Sequence, residues 1–214
     1  MSKICPMTGN TVLYLDCLEC EDKMDCGKPR PAEERDELID LIPKDKLDEV
    51  FKSPYCEIEP GYLCFDEVYK AFRDNTPKDM TIIDLGCYVG LQGFFFRDYA
   101  GYIGVDELPD TGADRLPDKY DGKIWMPRLG PDNSKFYVSS IQNFIKDFDS
   151  YGLDKSKCMA VMSYVPDKDA FNKADRFFPN FAAYYPGLHY ERNPFRLNGA
   201  ERDFAKMVAK YRKY

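Results

Sequence analysis

The stretch TIIDLGCYVGLQGFFF, residues 81–96, constrains the fold more than any other part of the sequence. It begins with an apolar run that contains Asp84, and Gly86, Gly90 and Gly93 follow closely. Glycine lets a backbone turn sharply or approach a ligand closely, because it has no side chain to clash. The pattern therefore predicts a buried strand, a glycine turn and a short packed helix over residues 91–100.

The chain from residue 61 onward alternates short apolar runs with amphipathic segments. Strands are predicted at 81–85, 102–107, 135–140, 158–165 and 181–185. Helices are predicted at 61–75, 91–100, 141–149, 167–178 and 199–214. This alternation predicts an α/β fold, a Rossmann-like and mostly parallel sheet with helices on both faces. In such sheets, ligands bind at the carboxyl ends of the strands near the point where strand order reverses.

Composition and the positions of proline, glycine and cysteine indicate how the 214 residues are organised. With 44% hydrophobic and 31% charged residues, the chain is typical of a globular protein. We predict a Cys-rich N-terminal head at 1–28, a helical linker at 29–60 and the α/β domain at 61–214. Residues 107–135 are rich in Pro and Gly, which favours a long functional or disordered loop.

Net charge and hydropathy limit the classes of partner that the protein is expected to bind. The net charge of −7 disfavours nonspecific nucleic-acid binding. No apolar run approaches the roughly 20 residues that span a bilayer, and no secretion signal is apparent. We therefore predict a cytoplasmic protein with no membrane partner.

A second acid strengthens the ligand hypothesis for the glycine turn. Asp106 ends the strand that follows the turn and lies 20 residues after Gly86. A carboxylate at this place can accept hydrogen bonds from ribose hydroxyls, while the turn and the following helix N-terminus face the rest of a nucleotide-like ligand.

The segment DLGCYVG, residues 84–90, resembles the first motif of class I S-adenosylmethionine-dependent methyltransferases. The resemblance covers about residues 61–190. It implies that Asp84 lies near the methionine end of the cofactor and that Asp106 binds its ribose. The cofactor-binding residues that it implies are Asp84, Gly86, Cys87, Tyr88, Gly90, Asp106 and Ser140.

The sequence departs from the family pattern at several places. Tyr88 occupies the position of the middle glycine, and Ser139 and Ser140 stand where an adenine-side acid is often found. SYVPD, residues 163–167, replaces the Asn/Asp-Pro-Pro-aromatic signature of enzymes that methylate amino groups of nucleic acids. By position, Tyr164 and Asp167 are the candidate catalytic residues, with ordinary loop solvation as the alternative. The methyl acceptor, whether small molecule, protein or nucleic acid, is not readable from these residues.

Other interpretations of the turn remain open. A nicotinamide-binding fold usually has G-x-G-x-x-G here, and a short-chain dehydrogenase would add a Tyr-x-x-x-Lys pair. Tyr151 and Lys155 match that pair by type but lie too close to the glycines in sequence. A plain strand–turn–helix without a ligand is a third possibility. At the level of function, the alternative to a methyltransferase is a non-catalytic adaptor or binding protein that retains the fold.

Four cysteines dominate the head, with the spacing C-x11-C-x2-C-x5-C. They are Cys5, Cys17, Cys20 and Cys26. A C-x-x-C pair lets two thiolates meet one tetrahedral ion, and a segment this small has too little core to fold unaided. CPMTG, residues 5–9, resembles half of a zinc-ribbon knuckle, with Thr8 in place of the second Cys. We predict structural zinc; the alternatives are free thiols, a redox pair or an iron–sulfur cluster.

Two further features point to packing. The sole histidine, His189, lies in a polar aromatic segment, where a surface or packing role is predicted. The last predicted helix carries Lys206, Lys210, Arg212 and Lys213 beside apolar residues. A packed helix whose late cations suit its dipole is favoured over a nucleic-acid contact.

Overall fold

The computed structural model describes residues 3–4, 11–12, 37–46, 66–88, 90–107, 128–185 and 192–211. The four head cysteines, His189 and the last two basic residues of the chain lie outside these ranges, as does most of the predicted 107–135 loop. Near the N-terminus, strands β1 (Lys3–Ile4) and β2 (Thr11–Val12) pair antiparallel.

The main structure is a mixed, mostly parallel sheet of seven strands. They are β3 (Thr81–Leu85), β4 (Gly101–Asp106), β5 (Ser134–Val138), β6 (Cys158–Ser163), β7 (Phe181–Tyr184), β8 (Pro194–Leu197) and β9 (Ala200–Asp203). Their order is β5-β4-β3-β6-β7-β8-β9. The first five in this order are parallel, and β8 and β9 add antiparallel pairs at one edge. All five predicted strands are confirmed, and the strand order reverses between β3 and β6.

The β8–β9 hairpin corrects one prediction. We expected a helix over 199–214, but Ala200–Asp203 is a strand and the helix begins only at Phe204. Asn198 and Gly199 form the turn with φ angles of 50° and 79°. An Asn-Gly pair suits a two-residue hairpin turn because both positions require positive φ. That local preference overrides the helical pattern of the residues that follow.

The helices are short. In the described part of the chain, the α-helices are α1 (Glu37–Leu41), α2 (Asp66–Arg73), α3 (Ile141–Lys146), α4 (Lys168–Phe177) and α5 (Phe204–Ala209). Two short 3-10 helices, Phe148–Tyr151 and Lys155–Lys157, lie between α3 and β6. The segment predicted as a helix after the glycine turn is a 3-10 helix, Leu91–Phe96, and all six of its residues are buried. Among the described residues, no helix combines the length and the apolar character needed to cross a membrane.

Helices cover both faces of the sheet. On one face, which we call the tyrosine face, α1, α2, α5 and the 3-10 helix Leu91–Phe96 pack over Ile82 and Tyr102. On the other, the apolar face, α3 and α4 pack over Ile83 and Ile103. Successive residues of a strand point to opposite faces, so Asp84 projects to the tyrosine face with Ile82.

Candidate functional site

The turn after β3 requires glycine at two positions. Gly86 has φ of 81° and Gly90 has φ of 89°, values that other residues rarely adopt. A Cβ on Gly86 would lie 2.4 Å from Val165 Cγ2, and one on Gly90 would lie 2.4 Å from Phe136 Cε1. Both glycines are therefore fixed by backbone conformation and by close packing.

Tyr88 and Asp106 tie the turn to the neighbouring strand. Tyr88 takes φ of 52°, in the left-handed region where glycine is usually found. Its backbone N–H donates to Asp106 Oδ2 at 2.8 Å, and its carbonyl accepts a hydrogen bond from Arg128 Nη1. The carboxylate at the end of β4 thus shapes the turn after β3.

A pocket of about 400 Å³ opens at the carboxyl ends of β3, β4 and β6, where strand order reverses. Four of the residues predicted from the sequence line it: Gly86, Tyr88, Asp106 and Tyr164. Its size falls in the range of small-molecule sites. The fold therefore brings the glycine turn and the acid of the next strand to one cavity.

Nine further lining residues were not predicted as site residues, and five of them come from different parts of the fold. These five are Tyr69, Gln92, Ser139, Ile141 and Ser163. Gln92 is a polar residue inside the apolar run LQGFFF, and Ser163 is the first polar residue after the apolar run of β6. Ser163 ends its strand and Gln92 is the second residue of the 3-10 helix, so both lie where ligands bind in such sheets. Tyr69 lies in α2, before the motif, and no local pattern distinguishes it from a core residue.

Asp84 lies behind the pocket wall and not among the lining residues. It is fully buried and accepts hydrogen bonds from the Tyr69 hydroxyl at 3.0 and 3.2 Å. The Tyr102 hydroxyl donates to it at 2.6 Å. Burial raises the pKa of Asp84 to about 7, although the two hydroxyls act in the opposite direction. Tyr69 joins this carboxylate to the pocket, since it contacts both.

Ser163 places a buried hydroxyl at the same wall. The residue is 8% exposed, and its Oγ has no hydrogen-bond partner of normal geometry among the described residues. It nevertheless lies near enough to Tyr69 to lower the pKa of that phenol, which burial and Asp84 raise more strongly. A buried hydroxyl left without a good partner costs free energy unless a ligand or water completes it.

Backbone strain concentrates at the pocket. Among the described non-glycine residues, positive φ occurs at Tyr88, Tyr164 and Asn198, and the first two line this cavity. Tyr164 has φ of 58°, and its N–H donates to the Tyr184 carbonyl at 2.9 Å. Such conformations cost on the order of 1–3 kcal/mol each and cluster at functional sites.

The charge of the pocket is negative where it is described. The two charged residues among its described lining are Asp106 and Glu107. The carboxyl group of Asp84 lies behind Tyr69, and Asp106 further raises its pKa. This wall is electrostatically suited to a cationic ligand.

Other predicted site residues have structural roles. Cys87 is buried, and its burial raises the pKa of its thiol. Ser140 caps α3 by accepting the Asn143 N–H, whereas its neighbour Ser139 lines the pocket. Asp167 caps α4, and the backbone N–H of Ala170 leads the interactions that lower its pKa. Like Asp84 and Gly90, these three are not among the pocket-lining residues.

No protein-family model matches the sequence, and no curated protein matches it. Within the described residues, no group of three or more His, Cys, Asp or Glu could hold a metal ion. The head cysteines predicted to bind zinc fall outside that part of the chain.

Proposed function

We propose that this protein is an S-adenosylmethionine-dependent methyltransferase whose methyl acceptor is unknown. One observation carries the proposal: the glycine turn after β3 and Asp106 at the end of β4 line the same pocket, where strand order reverses. The order of the five parallel strands supports a Rossmann-like assignment for the sheet.

The lining residues fit such a cofactor. Gly86 brings backbone to the pocket without a side chain, and the Ser163 hydroxyl lacks a well-placed protein partner among the described residues. Asp106 keeps a carboxylate at the pocket while one of its oxygens holds the Tyr88 N–H. In this proposal Asp106 binds the ribose, and Tyr69 and Ser163 form the wall at the methionine end.

Glycine spacing separates this proposal from a nicotinamide cofactor. An acid at the end of the second strand binds ribose in dinucleotide sites as well, so Asp106 suits both ligands. A dinucleotide-binding turn usually has G-x-G-x-x-G, whereas the glycines here are Gly86, Gly90 and Gly93. The turn therefore favours adenosylmethionine over the dinucleotide, and the carboxylates of Asp106 and Glu107 attract the positive charge of its sulfonium.

The residues of the chain would contribute positioning more than acid–base chemistry. Adenosylmethionine supplies, when bound, a methyl group that its sulfonium already activates. Tyr164 lies at the pocket with its ring edge against Tyr184, at 5.8 Å between centroids. It can orient an acceptor and exclude water, which is the main requirement for an in-line transfer. Asp167 is engaged as a helix cap, so Tyr164 is the better of the two candidate catalytic residues.

Isothermal titration calorimetry with adenosylmethionine and adenosylhomocysteine tests the proposal. We expect both ligands to bind. If neither binds at millimolar concentration, the methyltransferase proposal is wrong.

Replacing Asp106 tests the ribose assignment within that site. Asp106→Ala should weaken both ligands by about tenfold to a hundredfold, because a hydrogen bond to a charged group contributes roughly 1.5–3 kcal/mol. Asp98→Ala is the matched control, since this exposed acid pairs only at the surface with Lys78 at 3.6 Å. Unchanged affinity in Asp106→Ala would remove the ribose role.

A non-catalytic binding protein is the second candidate. It is favoured by the structural role of Asp167, the only acid among the two predicted catalytic residues, which caps α4. This candidate predicts ligand binding without transfer of a labelled methyl group to any component of a cell extract. Detection of a labelled product would show that the protein is an enzyme and contradict this second candidate.

We further propose that Cys5, Cys17, Cys20 and Cys26 bind a structural zinc ion. The antiparallel pairing of β1 with β2 supports this, because it brings together the two ends of the segment that contains CPMTG. Elemental analysis of the purified protein should find about one zinc per chain. A metal-free sample that stays fully folded would contradict the proposal.

A further inference from the structure

The buried carboxyl of Asp84 has no cationic partner among the groups that act on it in the described structure. From α2 it faces the phenol of Tyr69, and from β4 it faces the phenol of Tyr102 and the carboxylate of Asp106. The turn after β3 places the buried thiol of Cys87 near Asp84, and the positive charge of Arg128 acts on this thiol.

Other groups near Asp84 or Tyr69 within the described residues are neutral. From β6, the hydroxyl of Ser163 acts on Tyr69, and the paired position Val161 is apolar. From the 3-10 helix, Gln92 lines the same pocket as Tyr69. When Asp84 ionises, its negative charge is therefore held by two phenol hydroxyls and faces the pocket through one of them.

On the basis of the proposed function, we propose that Asp84 makes the pocket specific for a cationic ligand over its neutral counterpart. Asp84 does so by releasing a proton when the cation binds. The methyl donor carries a sulfonium charge, and the spent product carries a neutral thioether. The pocket would thus hold the donor more tightly than the product once Asp84 is ionised.

The physical basis is the mutual effect of two charges across a poorly solvated wall. A positive charge on the pocket side of Tyr69 stabilises the ionised carboxyl and lowers its pKa. By linkage, the ionised carboxyl strengthens binding of the cation by the same factor. A neutral ligand brings no such charge, and by displacing water it favours the protonated carboxyl instead.

The pH range of the effect follows from the free protein. Burial raises the pKa of Asp84 to about 7, so its proton is present at pH 5.5 and lost at pH 8.5. A displacement of one pKa unit on cation binding corresponds to a tenfold change in affinity across the titration. We therefore expect the preference for adenosylmethionine over adenosylhomocysteine to rise about tenfold between these two pH values.

Calorimetry in two buffers of different ionisation enthalpy measures both quantities. For the full chain near pH 7, adenosylmethionine should release a larger fraction of a proton on binding than adenosylhomocysteine, because only adenosylmethionine carries the sulfonium charge. The two ligands share their other ionisable groups, so the difference isolates the sulfonium charge. Binding of both ligands with equal pH dependence and equal proton release would overturn the inference and leave the proposed function standing.

Variants assign the effect to Asp84. Asp84→Asn should bind both ligands with a preference that no longer changes with pH, whereas Asp154→Asn, an exposed helix cap elsewhere, should behave as the wild type. Asp106→Asn should weaken binding and keep a pH-dependent preference, with its midpoint moved to lower pH because Asp106 is one of the groups that raise the pKa of Asp84. Loss of the pH dependence in Asp106→Asn, with its retention in Asp84→Asn, would overturn the inference.

A second variant covers the case in which Asp84→Asn does not fold. Tyr69→Phe keeps the ring and removes one hydrogen bond that lowers the pKa of Asp84. The midpoint of the pH-dependent preference should therefore move to higher pH. An unchanged midpoint would contradict the role of Asp84. If neither ligand binds the wild type, both the proposed function and this inference fail.

Discussion

The two faces of the sheet are built from the same strands but differ in chemistry. On the apolar face, Ile83 and Leu85 of β3 meet a layer of aliphatic and aromatic residues from α3 and α4. On the tyrosine face, the same strand presents Ile82 and Asp84, and the carboxyl group is covered by two tyrosines. The pocket opens beside this second layer.

The difference indicates that the tyrosine face meets a requirement other than stability. Burial of a carboxyl group costs several kcal/mol unless it is paired or protonated, and an apolar residue in its place would pack without that cost. Asp84 lies behind the pocket wall, and burial raises its pKa, as is common for groups at functional sites. The apolar face should therefore respond to mutation through stability alone, and the tyrosine face through stability, pH and ligand binding.

The largest effect is expected on the apolar face. Phe144 of α3 is fully buried and packs against Tyr137, Phe148 and Tyr151. Phe144→Ala should lower the free energy of unfolding by about 3–5 kcal/mol, since it leaves a cavity in a layer that is otherwise close-packed. Denaturant titration at pH 5 and pH 8 should give the same loss at both values. A loss that differs strongly between them would break the proposed contrast between the faces.

On the tyrosine face, the effect of Asp84→Asn on stability should instead depend on pH. The pKa of Asp84 is raised from 3.8 to about 7 on folding, so its favourable contribution is complete below pH 3.8 and is lost as pH rises towards 7. Relative to the wild type, the variant should gain up to about 4 kcal/mol in free energy of unfolding over that range. Thermal or denaturant unfolding across the same pH values measures it.

The pH dependence of Asp84→Asn has an internal control. Asp154→Asn changes an exposed acid that caps a short 3-10 helix, and asparagine is also a good cap. Its difference from the wild type should stay flat from pH 4 to pH 8. If Asp84→Asn were equally flat, the carboxyl group would already be paired or solvated in a way that the described contacts do not include.

Two glycines in turns separate an effect at the pocket from one at the sheet edge. Gly86→Ala places a Cβ 2.4 Å from Val165 at a φ of 81°, and should cost about 2–4 kcal/mol and weaken ligand binding. Gly199→Ala has a similar φ of 79° but open space around it, and should cost about 1 kcal/mol without affecting the ligand. Equal effects of the two changes on binding would contradict a role for the turn after β3.

Much of the parallel sheet could be predicted from the sequence, because each of its strands is an apolar run bounded by polar or glycine residues. The β8–β9 hairpin contradicts the helix predicted over 199–214, because residues 200–203 also fit helical spacing although Asn198-Gly199 is a strong hairpin signal. The conformational preference of two turn residues therefore makes the next four residues, Ala200–Asp203, a strand and not part of the helix.

The candidate site was predictable only where residues stand at strand ends. Gly86 and Asp106 follow from that rule, since the carboxyl ends of parallel strands meet at one edge. Tyr69 does not, because its place at the pocket depends on how α2 packs across the sheet, which no local pattern encodes. Asp167 was predicted as a catalytic residue from position alone, and position cannot distinguish a free loop acid from a helix cap.

The smallest effect is expected at Asp167, beside the apolar face. Its Oδ1 accepts the N–H groups of Asp169 and Ala170 at 2.9 and 3.0 Å, and its Oδ2 accepts from Gln142 at 2.8 Å. Asp167→Ala should cost about 1 kcal/mol through loss of the cap, while Asp167→Asn should be nearly neutral because asparagine also caps. Both variants should bind adenosylmethionine with wild-type affinity in calorimetry. A stable Asp167→Asn that binds the cofactor but no longer transfers methyl groups would instead assign this carboxylate to catalysis, and would extend the functional region from the tyrosine face to the start of α4.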